Sequence, residues 1–142
     1  MALSNMYRIK GGHIMKLVIF MLLAVIGQTG AEIIAYLWKL WRYTSKKNFI
    51  LHMLLVVAII FGGLAYLTAD MRWFLRYLIG FGAGFLYEYA NATGLDLFYF
   101  PNNKFLMFKN KYIIMTIMAV LWGLYPLIIP VVYRAVIARY VH

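Results

Sequence analysis

Cysteine is absent from this chain of 142 residues, which excludes disulfides, iron–sulfur clusters, a thiolate nucleophile and c-type haem attachment. Acidic side chains are nearly absent as well: four Asp and Glu stand against fourteen Lys and Arg. Charge of either sign is scarce, at 13% of residues, where soluble domains carry about 25%. Such a chain cannot clothe a water-facing surface. No polar or Pro/Gly/Ser-rich linker, internal repeat, heptad or low-complexity tract interrupts it, so it reads as one domain. A net charge of +10 in a soluble protein would suggest a nucleic-acid partner. Here the cations sit in short clusters between apolar runs and build no contiguous phosphate-binding face, so no nucleic acid is expected.

What is present is hydrophobicity, 65% of the chain. The expected fold is all-α, a polytopic integral membrane protein built as a four-helix transmembrane bundle. Spans are expected at about 15–38, 49–69, 73–93 and 112–133, each near the ~20 residues that cross a ~30 Å hydrocarbon core. Residues 1–14 form a polar extension ahead of the membrane domain, 15–142. Lys10-Gly11-Gly12 is how an in-frame bacterial ribosome-binding site would be read, so Met15 is the expected native start and a bacterial inner membrane the expected location. Lys16, the apolar run and Thr29-Gly30-Ala31 also resemble a signal peptide, but hydrophobicity continues to Trp38 and meets Lys39, as in a retained span.

Lys39, Arg42, Lys46 and Lys47, interleaved with Trp41 and Tyr43, read as an interfacial collar. Lys104, Lys109 and Lys111 repeat it before the fourth span, and all seven cations are expected to contact anionic lipid headgroups. Counted over the whole chain, Lys and Arg tie at seven on each side of the membrane. Counted from Met15 they stand five against seven, which turns the first and third loops toward the cytoplasm.

The stretch from Gly80 to Pro101 departs from this pattern, because it carries Glu88 inside an apolar helix. Glu32 and Glu88 lie six residues before Trp38 and Gly94, and His52 and Thr116 lie four and five residues after Asn48 and Lys111. At 1.5 Å per residue all fall roughly 6–9 Å inside one membrane face. With Gln28 one turn deeper and Asn91 near one turn shallower, the expected polar layer is Gln28, Glu32, His52, Glu88, Asn91 and Thr116. Glu32, His52, Glu88 and Asn91 are its candidate catalytic groups. A carboxylate facing lipid is costly, about 2.5–3.5 kcal/mol at a helix centre, so both acids are expected to turn inward. Small residues mark close helix approach in lipid, and Gly27, Ala31, Ala58, Gly62, Gly80 and Gly84 are the candidates.

No Glu-x-x-His pair appears, and His13 and His142 lie outside the spans, so neither metal nor cofactor is expected. Gly80-x-Gly82-x-Gly84 follows no strand and is no dinucleotide fingerprint. Asn91-Ala92-Thr93, a glycosylation sequon by pattern, abuts the bilayer. Asn91 or Gly94 could close the third helix in left-handed backbone, Leu95–Pro101 should lie along the interface, and Pro126 and Pro130 should kink the fourth helix. Asp96 is either a turn residue or the rim of the polar site.

Three functions fit. The first is a non-catalytic membrane subunit that meets a partner, or copies of itself, through glycine-lined faces. The second is a lipid-modifying enzyme that uses the Glu/Glu/His/Asn layer beneath basic loops. The third is a small cation- or proton-coupled transporter.

Overall fold

The computed structural model describes residues 2–140, with side chains from residue 12 onward. Met1 and His142, and the side chains of Arg8 and Lys10, lie outside the described residues. The protein is mostly helical. Helix α1 runs Ala2–Trp38, so the expected break between a polar extension and the first span is not seen in the backbone, which is helical on both sides of Met15. Helix α2 occupies Lys46–Leu67, α3 Trp73–Ala90 and α4 Lys111–Ile137. Three stretches are long and apolar enough to cross a membrane: Gly12–Trp38 of α1, α2 and α4. Helix α3, with 18 residues that include Arg76 and Glu88, is not in that group.

Helix starts follow from local capping. Ser45 accepts a hydrogen bond from the backbone N–H of Asn48 at 3.1 Å, which starts α2 at Lys46, three residues ahead of the expected Phe49. Asn110 Oδ1 accepts from the N–H groups of Tyr112 and Ile113 at 2.9 and 3.3 Å and starts α4 at Lys111. Between His52 and Gly62 the winding of α2 widens to π-type hydrogen bonding. In α4 the helix breaks at Leu124, ahead of Pro126, where Leu124 and Leu127 bond back only three residues. Proline cannot donate and crowds the carbonyl of the preceding turn. Pro130 stays inside the helix.

Helix α3 is closed neither by Asn91 nor by Gly94. It continues into a wide turn over Asn91–Leu95, and Asp96 takes the left-handed backbone, at φ 46° and ψ 43°. Asp tolerates that region better than most side chains. The chain then forms a short strand. Arg42–Tyr43 (β1) and Phe98–Tyr99 (β2) pair antiparallel, with Arg42 opposite Tyr99 and Tyr43 opposite Phe98. Thr44 extends the join, its N–H on the Leu97 carbonyl at 3.1 Å and its hydroxyl on that of Asp96 at 2.8 Å. This small sheet ties the α1–α2 loop to the α3–α4 loop over one end of the bundle.

In α1, Phe20, Ala24, Gln28 and Ala35 are buried, whereas Ile14, Leu22, Ile26, Ile33 and Leu37 are exposed. The α1–α2 and α3–α4 pairs pack most closely, and glycines set both approaches. A Cβ on Gly62 would lie 2.7 Å from the Met21 Cα. One on Gly80 would lie 2.8 Å from the Pro126 ring, and one on Gly84 would collide with Trp122. Gly123 repays the approach, leaving room for the Tyr77 ring. Phe61 of α2 stacks on Trp122 of α4, with centroids 4.3 Å apart and planes 16° from parallel, and joins the two pairs.

Candidate functional site

The polar groups gather beneath the sheet. Glu32, on the bundle-facing stripe of α1, is the best-served acid. Its Oε1 accepts from Gln28 Nε2 at 2.6 Å and from the Tyr43 hydroxyl at 2.7 Å, and its Oε2 from Trp41 Nε1 at 3.0 Å. Tyr43 sits in β1, whose pairing with β2 fixes its direction. Burial, and next the nearby Glu32 carboxylate, push the Tyr43 phenol far above its ordinary range, so it remains a donor. Trp41 and Tyr43, expected in the interfacial collar, both donate to the Glu32 carboxylate.

The network continues through every helix. Gln28 Oε1 accepts the hydroxyl of Tyr125 from α4. His52 of α2 is 1% exposed. Its Nδ1 shares a 2.5 Å hydrogen bond with the hydroxyl of Tyr87 from α3. Among the described residues its Nε2 has no hydrogen-bond partner, and it lies 3.9 Å from Glu32 Oε1. The rings of Tyr43, Tyr87, Phe98 and Trp122 pack around the imidazole at 5.3–5.8 Å. Glu88 is 2% exposed, and its Oε1 accepts from Trp122 Nε1 at 2.8 Å. Trp122 thus serves two ends, an indole N–H for Glu88 and a ring face for Phe61.

The two acids point into the bundle but do not bond each other. Each is served by a tryptophan. Asn91 is buried, yet its side chain is spent on the backbone: it donates to the Phe98 carbonyl at 3.0 Å and accepts from the Leu97 N–H at 2.8 Å. It positions β2 and also stands in the wall of the cavity beneath that strand. Thr116 leaves the layer altogether, because it is exposed and its hydroxyl returns to Tyr112 of its own helix at 2.8 Å. The contribution of α4 comes from Trp122 and Tyr125.

The seven loop cations Lys39, Arg42, Lys46, Lys47, Lys104, Lys109 and Lys111 are all exposed at this end. Among the described residues no three His, Asp or Glu side chains lie close enough to share a metal ion. Two cavities flank the network. One of about 500 Å³ opens under β2, with Glu88, Asp96, Phe98, Lys109, Lys111 and Met115 in its wall. The other, about 440 Å³ and almost wholly apolar, runs between α1 and α4 past Gly27, Gln28, Ala31, Leu121, Tyr125 and Ile128. Gly27 and Ala31 therefore line a groove instead of a helix contact, while Ala58 is only half-buried. Comparison of the chain with protein-family models, curated proteins and solved structures found no match.

Proposed function

We propose that this is a four-span, non-catalytic membrane protein that assembles laterally, through α1 and α4, with a membrane-spanning helix of another chain. That chain is a partner subunit or a second copy. One observation carries the reading. Gly62, Gly80, Gly84 and Gly123 are each pressed by a neighbour, whereas Gly12, Gly27, Gly30, Gly63, Gly82 and Gly94 have nothing within 4 Å of where a Cβ would stand, and of these only Gly27 lines one of the two cavities. Gly27 opens onto the apolar α1–α4 groove. Small residues in lipid let helix backbones approach, and here the fold itself leaves the approach unused. The polar network fits a structural role, since Gln28, Glu32 and Asn91 already spend their groups on the protein.

The sheet supports the fourth span. Residues 43 and 98 lie side by side, so the chain between them leaves one end of the bundle and returns to it. If α2 crosses the membrane, α3 is the return crossing, despite Arg76 and Glu88.

Native mass spectrometry in mild detergent tests the assembly. Gly27→Leu and Ala31→Leu should fill the groove, keep wild-type helix content and abolish the higher-mass species. A complex of wild-type abundance in both variants refutes the proposal. The mass of the lost component tells partner from copy.

A further inference from the structure

The cavity under β2 has a chemistry that lateral assembly does not use. Its wall contains one acid more than nine-tenths buried, Glu88, a second acid at the exposed rim, Asp96, two lysines and an apolar side. A carboxylate offers two oxygens and about four acceptor sites. The described residues give Glu88 a single donor, Trp122 Nε1, on Oε1, and leave Oε2 for the occupant of the cavity. A buried carboxylate so poorly served calls for a donor, and a protonated amine is the strongest available match. On the same wall stand Lys109 and Lys111, at the start of α4. Among the described residues Lys111 Nζ reaches the Ala92 carbonyl alone, at 3.4 Å, which leaves ammonium donors to spare. Phe98, Ile114 and Met115 complete the wall with hydrocarbon.

We propose that this cavity holds the headgroup of a phospholipid bearing a primary amine, with the ammonium on Glu88 and the phosphate toward Lys109 and Lys111. The occupant needs a cation, an anion a few bonds away and an apolar body, and it sits where the bundle meets the headgroup layer. A quaternary ammonium has no N–H for Glu88. A purely anionic headgroup brings a charge that the carboxylate repels. The volume, about 500 Å³, lies in the usual range for small-ligand sites. The proposal is independent of the α1–α4 groove.

Lipid retention on the intact chain tests it. The detergent-purified protein is loaded in turn with phosphatidylethanolamine, phosphatidylcholine and phosphatidylglycerol of identical acyl chains, and bound lipid is counted by native mass spectrometry. Phosphatidylethanolamine should be retained about tenfold better than the other two, the margin of one charge-assisted hydrogen bond. Glu88→Gln should remove that preference. Lys109→Ala with Lys111→Ala, at exposed positions that leave the core intact, should weaken phosphatidylethanolamine retention about tenfold. Soluble phosphoethanolamine at equal concentration should fail to displace the lipid. Equal retention of the ethanolamine and choline lipids overturns the proposal. So does undiminished retention by the double lysine variant, or displacement by the soluble headgroup, which would make the ligand a free phosphate ester.

Discussion

At the scale of single residues, Glu32 organises more of the protein than its position on a largely exposed helix would suggest. Three donors from two segments converge on it: Gln28 from its own helix, and Trp41 and Tyr43 from the loop and strand. Removing the acceptor leaves them without a partner, at roughly 1–3 kcal/mol for each buried donor orphaned. Glu32→Ala should therefore destabilise the fold markedly. Glu32→Gln keeps one carbonyl acceptor and should lie between the alanine variant and the wild type. Thermal unfolding in detergent, followed by circular dichroism, measures the order. Equal losses for the two substitutions would show that the charge, and not the acceptor geometry, holds the site. That tryptophan and tyrosine donors complete this cluster could not be read from the chain. The same residues beside Lys39, Arg42 and Lys46 form interfacial belts in membrane proteins, and only the β1–β2 pairing directs Tyr43 inward. Glu32, His52 and Glu88 were legible for the opposite reason: a titratable side chain in an apolar run has few places to go.

Among the elements, the glycines separate what spacing can tell from what it cannot. Gly80 and Gly84, four apart, face Pro126 and Trp122 of α4, while Gly82 between them faces open space. Gly84→Leu should overpack the α3–α4 contact, at about 1–3 kcal/mol or more, and displace the indole that serves Glu88. Gly82→Leu should melt within a degree or two of the wild type, roughly the noise expected of a surface change. Comparable losses for both variants, read from melts side by side, would mean that the two helices do not pack as described. Gly27 has the same spacing from Ala31 yet opens onto a groove, because a pattern of small residues signals where an approach is allowed and not whether this chain makes it. The strands were invisible for a simpler reason. With two residues each they carry no alternation, and their pairing joins loops more than fifty residues apart. Asp96, rather than the better-suited Gly94, takes the left-handed turn, since the helical winding runs through Leu95, past both candidate stops.

For the whole molecule, the sheet converts local pairing into a statement about topology. Residue 44 and residue 97 share a hydrogen bond, so the first and third loops lie on one side, and the Thr68–Arg72 turn lies at the other end of α2. Accessibility labelling at cysteines introduced for Lys47, Asp70 and Lys109, all exposed, should mark Lys47 and Lys109 from one face of the bilayer and Asp70 from the opposite face. Labelling of all three from one face would remove α2 and α3 as crossings.

The far end of the bundle is held differently. Arg134 of α4 donates to the Ala69 carbonyl at 2.9 Å, and Lys16 stands over the rings of Phe20, Tyr66 and Tyr133 at 5.7–5.8 Å. Each hairpin, α1–α2 and α3–α4, thus reaches the other at both extremities, and the covalent link through Asp70 duplicates what those clasps already do. Gln28, Glu32 and His52 belong to the first hairpin, and Tyr87, Glu88, Trp122 and Tyr125 to the second. Neither arm owns a finished interior, so the buried chemistry comes into being only when the two arms meet.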